Sequence, residues 1–545
     1  MKKDKEFSLF FLLLLLIVIL IAPSASSVEA RKNNKKHQKQ KKGIVSVPKH
    51  SHVPSPASSP SYGPYPTHTV IFDILSFGAK GDGVSDDSKA FEAAWKAACK
   101  VPGATVEIPS EFRFLVRPLT LQGPCMPHLV LQVDGTLLAP PKVGAWPKSS
   151  LFQWINFKWV SNFTIQGTGT VDGQGSAWWK PSGINYVQVS MLQEIHNSFL
   201  FGSCAWSYNI FLSRLFLQKR SKYTLGLKPT VSIKISFFLL YLYIFVFSTS
   251  FCNTVCILLK SLGYFWKALR FYASYNVKIQ DITIMNSPGC HLKFDSTSGV
   301  KVDNITISSP GDSPNTDGIH LQNAHDVEIQ LSNIECGDDC VSIQTGCINV
   351  HVHDVNCGPG HGISLGGLGK GKSVACLSSI VVENINIQNA LSGVRIKTWQ
   401  GGLGSVKNVT FSNIQVTDVG IPIMIDQYYC DKVRFCKNQT GAVAITGVKY
   451  NQITGTYSFQ PIHLACSNHI PCTDVDLIDI QLKPSPGSSP GFQQGLCWNS
   501  YGKSQAPLVP STMDFCLRRG DDDLLESKET QPESLWLELF YSYRV

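Results

Sequence analysis

The sequence predicts an all-β chain, a right-handed parallel β-helix with a short N-terminal capping helix. Three observations predict it. β-branched triplets opened by Val277, Val300, Val327, Val350, Ile380 and Val409 recur at intervals of 23, 27, 23, 30 and 29 residues, a period that marks a solenoid. Each repeat has a second triplet, as in Ile282-Thr283-Ile284 and Ile305-Thr306-Ile307, and a third whose inward apolar residues are Leu292, Ile319, Val341, Ile363, Val394 and Ile423. No helical periodicity intervenes, so each rung must stack about 4.8 Å above the last. Asn276, Asn304, Asn333, Asn349, Asn384, Asn408 and Asn413 fall at the expected turns, where asparagine tolerates left-handed backbone.

Taken from the N-terminus, residues 1–30 read as a secretory signal peptide. Lys2, Lys3 and Lys5 precede an apolar run over 7–21, and small residues follow through Ala30. An uncleaved membrane anchor is the alternative. Residues 31–66 form a basic and then Pro/Ser-rich linker that cannot build a core. A helix is expected over about 86–99, capped by Ser85 or Asp86, with Phe91, Ala94, Trp95 and Ala98 on its apolar face. The β-helix domain is expected over 67–512, interrupted by 183–266, and 513–545 is an atypical tail. Sequons at Asn162, Asn304, Asn408 and Asn438 fit a secreted glycoprotein, and the 17 cysteines read as disulfide stock.

Composition sets limits. Of 545 residues, 43% are hydrophobic and 16% charged, which excludes a largely disordered protein. The net charge of +9 sits mostly in 31–42, which carries +7, and in 183–266, which carries +6; the remainder is mildly acidic. A nucleic-acid-binding body would carry its basic patch on the fold itself, so nucleic acid is not an expected partner. The 31–42 run is instead expected to act as an electrostatic tether to an acidic extracellular polymer.

Chemistry should sit where the third strands align. Asp317, Asp339 and His361 stand two positions before the inward apolar residue in successive rungs, with Asp338 one further back. His320, Ser342, Ser364 and Arg395 follow it, and Gln322, Gln344, Gly366 and Lys397 come two later. One outer face thus gathers three carboxylates, two histidines and two cations. Stacked like charges should raise at least one carboxyl pKa, giving a proton donor beside a base, the pair that glycosidic hydrolysis requires. Arg395 and Lys397 suit an anionic sugar. Taken singly, each Asp could be only a turn residue or a Ca²⁺ ligand; the whole column argues for a catalytic face.

At these residues the chain resembles the plant polygalacturonases of glycoside hydrolase family 28. Four motifs appear in order, Asn315-Thr316-Asp317, Gly337-Asp338-Asp339, Gly360-His361-Gly362 and Arg395-Ile396-Lys397. Phe77-Gly78-Ala79-Lys80-Gly81-Asp82-Gly83 and Asp172-Gly173-Gln174-Gly175 also match. The resemblance implies a secreted, inverting hydrolase of α-1,4-galacturonan in the apoplast or cell wall, a monomer needing neither cofactor nor metal. It implies Asp338 as general acid, Asp317 and Asp339 as activators of water and His361 as support for the acid. Arg395 and Lys397 would bind substrate carboxylates, with Tyr429, Asn315 and Gln322 also lining the substrate.

The segment 183–266 departs from that pattern. Lys234 and Lys260 bracket 25 uncharged residues, long enough for a membrane span, which makes no physical sense between two rungs of one core. The reading is a segment foreign to the working protein, such as a retained intron; removing its three cysteines leaves an even number. If it is real, a membrane-retained inactive variant becomes the alternative. Two competing functions share the same fold: a non-catalytic pectin-binding solenoid, and a pectate lyase, which would need Ca²⁺ and an Arg or Lys base.

Overall fold

The computed structural model describes residues 70–142, 145–146, 153–179, 267–430, 441–487 and 494–518. The signal peptide, the linker, the segment 183–266, Asn438 and the tail beyond 518 lie outside the described residues.

The described chain winds as a right-handed parallel β-helix. A typical rung has three strands, such as Tyr275–Gln280, Thr283–Met285 and Cys290–Asp295. First and second strands join a 20-stranded sheet, and third strands an 11-stranded one. In later rungs the first two strands merge, as in Ile348–Cys357 and Val374–Gln388. Every pairing is parallel, and the registers follow the repeat: Val277, Val300, Val327, Val350, Ile380 and Val409 stack in one file. Leu292, Ile319, Val341, Ile363, Val394 and Ile423 stack in another.

These files fill the interior because strand alternation turns every second side chain inward. Phe157, Phe271 and Phe294 continue the packing as stacked rings, with centroids 4.8 and 5.2 Å apart. Each such side chain, taken fully out of water, contributes roughly 1.5–3 kcal/mol.

The capping helix spans Ser88–Ala98 and buries Phe91, Ala94, Trp95 and Ala98, as its periodicity predicts. Its N-cap is Asp87, not Ser85 or Asp86, and makes no side-chain cap bond. The Asp87 carboxylate is engaged elsewhere, accepting from the backbone N–H groups of Lys80 and Gly81 at 2.8 and 3.2 Å. That binds the glycine-rich loop to the helix and delays the helix start.

The turn asparagines Asn276, Asn304, Asn349, Asn384, Asn408 and Asn413 have φ between 48° and 57°. Asn333 does not; Leu331 takes the left-handed position at φ 51°, and Asn333 opens the strand Asn333–Glu335. Turn asparagines bond from rung to rung, as Asn413 to Asn384 at 2.8 Å, and so do strand asparagines, Asn386 to Asn356 at 3.0 Å and Asn356 to Asn333 at 2.8 Å.

The cysteine expectation holds in part. Disulfides join Cys99–Cys125, Cys340–Cys357, Cys466–Cys472 and Cys497–Cys516, and Cys430 is also bonded. Cys290, Cys336, Cys347 and Cys376 are free thiols, the first three buried as small apolar side chains. The segment expected as a tail from 513 begins inside a helix, Thr512–Arg518, whose Met513 and Leu517 are buried in the core. Among the described residues no helix is long and apolar enough to cross a membrane.

Candidate active site

The site lies on the outward face of the 11-stranded sheet and in the turns entering its strands. Those turns carry Asn315, Asp317, Asp338, Asp339 and His361, each just before a third strand: Ile319–Gln322, Val341–Ile343 and Ile363–Leu368. The next strand, Ser392–Trp399, supplies Arg395 and Lys397. Registers set Ser342, Ser364 and Arg395 in one outward file and Gly366 beside Lys397.

Two glycines make this geometry possible. A Cβ on Gly337 would sit 1.9 Å from the Ser313 carbonyl oxygen, so only glycine lets the turn before Asp338 lie against the rung below. A Cβ on Gly366 would sit 2.3 Å from Lys397 Cε, so this glycine opens the path by which Lys397 reaches back across the sheet.

Asp339 is the hub. It is 3% exposed, and its Oδ1 accepts from Arg395 Nη2 at 2.5 Å and from Ser364 Oγ at 2.8 Å. Its Oδ2 accepts from Lys397 Nζ at 3.1 Å. Burial alone would raise this carboxyl, but the charges of Lys397, Arg395 and His361 outweigh it and hold Asp339 well below the usual carboxylate range.

Asp317 is its opposite. Burial raises its carboxyl well above the usual range, and the nearby charges of Asp338 and Asp339 push the same way against Lys397 and Lys293. One raised carboxyl among the three is what the stacked charges predict. His320 Nδ1 lies 2.9 Å from Asp317 Oδ2; burial, with Lys293 and Lys267 beside it, pushes this imidazole far below its ordinary value and keeps it neutral. Asp338 is partly exposed and pairs with His361, whose Nδ1 lies 2.9 Å from its Oδ1.

The remaining expected residues fall around this core. Tyr429 lies near it, with Lys397 Nζ 5.5 Å from its ring centroid and Trp399 edge-on at 5.4 Å. Gln322 accepts from Lys293 Nζ at 2.8 Å, and Asn315 is exposed in a left-handed turn at φ 56°.

Sequence reasoning passed over Lys293 and Asp426. Lys293 is the register partner of His320, and Asp426 of Lys397; extending each file by one rung would have found both. Lys293 is buried at 8% exposure, which lowers its pKa. Asp426 is buried at 1%, which raises its pKa to about 6 against the pull of the Tyr428 backbone N–H and of Arg395 and Lys397.

Asp338, Asp339 and His361 each offer a ligand atom within 4.8 Å of the others, a set able to hold a metal ion. Arg395, Lys397 and Ser364 already occupy both oxygens of Asp339, and two cations at the same carboxylate oppose a third. The arrangement therefore favours acid–base chemistry carried by side chains.

Comparison with known proteins agrees with this geometry. A family model, glycosyl hydrolases family 28, matches residues 99–199 and 264–494. A polygalacturonase of Chamaecyparis obtusa is 34% identical across 86% of this chain and 76% of its own length. Polygalacturonase-2 of Solanum lycopersicum is 33% identical across 81% and 80%. Among solved structures, the endo-xylogalacturonan hydrolase of Aspergillus tubingensis superposes with TM-score 0.55 at 18% identity, over 80% of this chain and 98% of that one. A polygalacturonase from Erwinia carotovora ssp. carotovora gives 0.54 at 19%, over 82% and 99%; at such identities these two show the shared fold. The family match over more than half of the chain, together with relatives at a third identity over most of it, establishes that this protein belongs to family 28 of the glycosyl hydrolases.

Proposed function

We propose that this glycosidase is a secreted polygalacturonase that hydrolyses the α-1,4-galacturonosyl linkages of pectin in the plant cell wall with inversion. The observation that carries the reading is a buried carboxylate held ionised, Asp339, beside a carboxyl whose proton affinity is pushed well above the usual range, Asp317. Separated proton affinities in one cleft are what acid–base cleavage of a glycosidic bond needs.

In this reading Asp338 protonates the leaving glycosidic oxygen, with its partner His361 supporting the protonated form. Asp317, in its ionised form, and Asp339 then direct a water to the opposite face of the sugar, and Asp317, whose proton affinity is the higher of the two, accepts its proton. Arg395 and Lys397 outnumber the single carboxylate they clamp; the surplus charge, with Lys293 nearby, draws a galacturonate carboxylate into the cleft. Tyr429 lines the reducing side, and Asn315 and Gln322 border the sugar. Secretion follows from residues 1–30, wall tethering from 31–42, and the expected working form is a monomer without metal.

A second assignment of the acid has one observation in its favour: Asp317, not Asp338, is the carboxyl pushed upward. The two assignments separate cleanly. A galacturonide with a leaving group that departs without protonation should be hydrolysed at near-native rate by an acid variant, so it should rescue Asp338→Asn and not Asp317→Asn. Rescue of Asp317→Asn alone would move the acid to Asp317.

The decisive test of the activity is proton NMR of the sugar released from polygalacturonate. Immediate appearance of the inverted anomer, unaffected by EDTA, is expected. Retained anomer would overturn inversion, and unsaturated product lost with EDTA would make the enzyme a lyase.

A further inference from the structure

A second polar cluster lies on the other sheet. His351 and His353 alternate along Ile348–Cys357, so both rings face outward, with centroids 4.3 Å apart. Glu328 on the preceding rung is the register partner of His351, and Glu383 on the following rung is that of His353. One nitrogen from each ring and one oxygen of Glu328 lie within 4.8 Å of one another.

The hydrogen bonds around the cluster orient these rings. His353 Nδ1 lies 2.7 Å from Asp354 Oδ2, so Nδ1–H donates to that carboxylate, and in the neutral ring the lone pair is then on Nε2. This Nε2 is buried without a hydrogen bond, and Glu328 Oε1 faces it at 3.5 Å. In that neutral form a lone pair faces a carboxylate oxygen, an arrangement that a bound cation satisfies. Glu383 stands in the same relation to His351, holding its Nε2 at 2.8 Å. Carboxylates bonded to the far nitrogen of a ligating histidine are the usual outer partners of a metal site.

We propose that His351, His353 and Glu328 bind a divalent transition-metal ion of the Zn²⁺ class. Two imidazoles and one carboxylate suit Zn²⁺, Ni²⁺ or Cu²⁺ and not Mg²⁺ or Ca²⁺, which demand oxygen. Metal–ligand bonds of about 2.0–2.2 Å require the three donors to close slightly from their present spacing, a movement open to the half-exposed side chains of Glu328 and His351. Among the described residues Lys301 Nζ, 2.8 Å from Glu328 Oε2, is the opposing charge in contact, and it holds the oxygen the metal does not use. Bound metal would join two successive rungs and stabilise the stack by mass action.

The test uses the full chain, stripped with EDTA and titrated with Zn²⁺ alone by calorimetry, with thermal melting and the visible absorption of Co²⁺ as second readouts. The wild type and Asp338→Asn should each bind Zn²⁺ at this site, melt higher with it and give the intense spectrum of low-coordinate Co²⁺. His353→Gln and, independently, Glu328→Gln should weaken that binding about tenfold or more while galacturonate release stays unchanged. Undiminished Zn²⁺ affinity in both variants would overturn the proposal. So would a wild type that takes up no Zn²⁺.

Discussion

The two sheets obey one rule inside and different rules outside. Inward files are apolar and buried in both. On the 20-stranded sheet the outward positions alternate with them as half-exposed polar residues, as Glu328 and Gln330 do along His325–Gln330. On the 11-stranded sheet the outward positions Ser342, Ser364, Arg395 and Lys397 are also buried, at 1%, 0%, 3% and 9% exposure. Burying such groups costs several kcal/mol unless each is paired. A solenoid gains nothing in stability from that expense, which is why the proposed binding and catalytic site is set on this outer face.

The largest effect expected from breaking this contrast is on rate. Asp338→Asn should lower kcat on polygalacturonate by about 10³-fold with an unchanged melting curve, because Asp338 is only partly buried; an active variant would remove Asp338 from the chemistry. Next comes stability. Arg395→Ala leaves buried Asp339 with Lys397 and Ser364 as its remaining partners and should cost about 1.5–3 kcal/mol in urea unfolding, where an exposed arginine would cost almost nothing.

Asp426→Asn should act in the opposite direction. A carboxyl raised from 3.8 to about 6 on folding favours the fold less once it must ionise. The penalty is absent below pH 3.8, grows as pH rises through the interval and reaches roughly 3 kcal/mol above about 6. The variant should therefore melt higher than the wild type at pH 7 and no higher at pH 4; equal melting at both would deny the burial effect. The smallest change belongs to the other sheet: Asn356→Ala removes two exposed rung-to-rung hydrogen bonds and should cost about 1 kcal/mol or less.

Much of this was legible in the sequence because a solenoid turns spatial order into linear order. Once Leu292, Ile319 and Val341 are aligned, the neighbours of each fall into register too, and counting along the chain is enough to set Asp317, Asp339, Arg395 and Lys397 on one face. What was not legible depends on which partner a side chain chooses. Spacing cannot show that Arg395 and Lys397 turn on Asp339, nor that Asp87 bonds a loop instead of capping its helix. Leu331 at a left-handed position went unforeseen because propensity favours the nearby Asn333, and rung register overrode it.

The point in the chain at which residues 180–266 intervene has a further consequence. Ser161–Gln166 pairs directly with Tyr275–Gln280, and Thr170–Asp172 with Thr283–Met285, so the rungs on either side are already consecutive steps. That point falls between a second and a third strand, the same row of turns that carries Asp317, Asp338 and His361. Two messages, one with this passage and one spliced without it, would thus encode the same staircase. They would differ at one position in the row of turns that bears the candidate site.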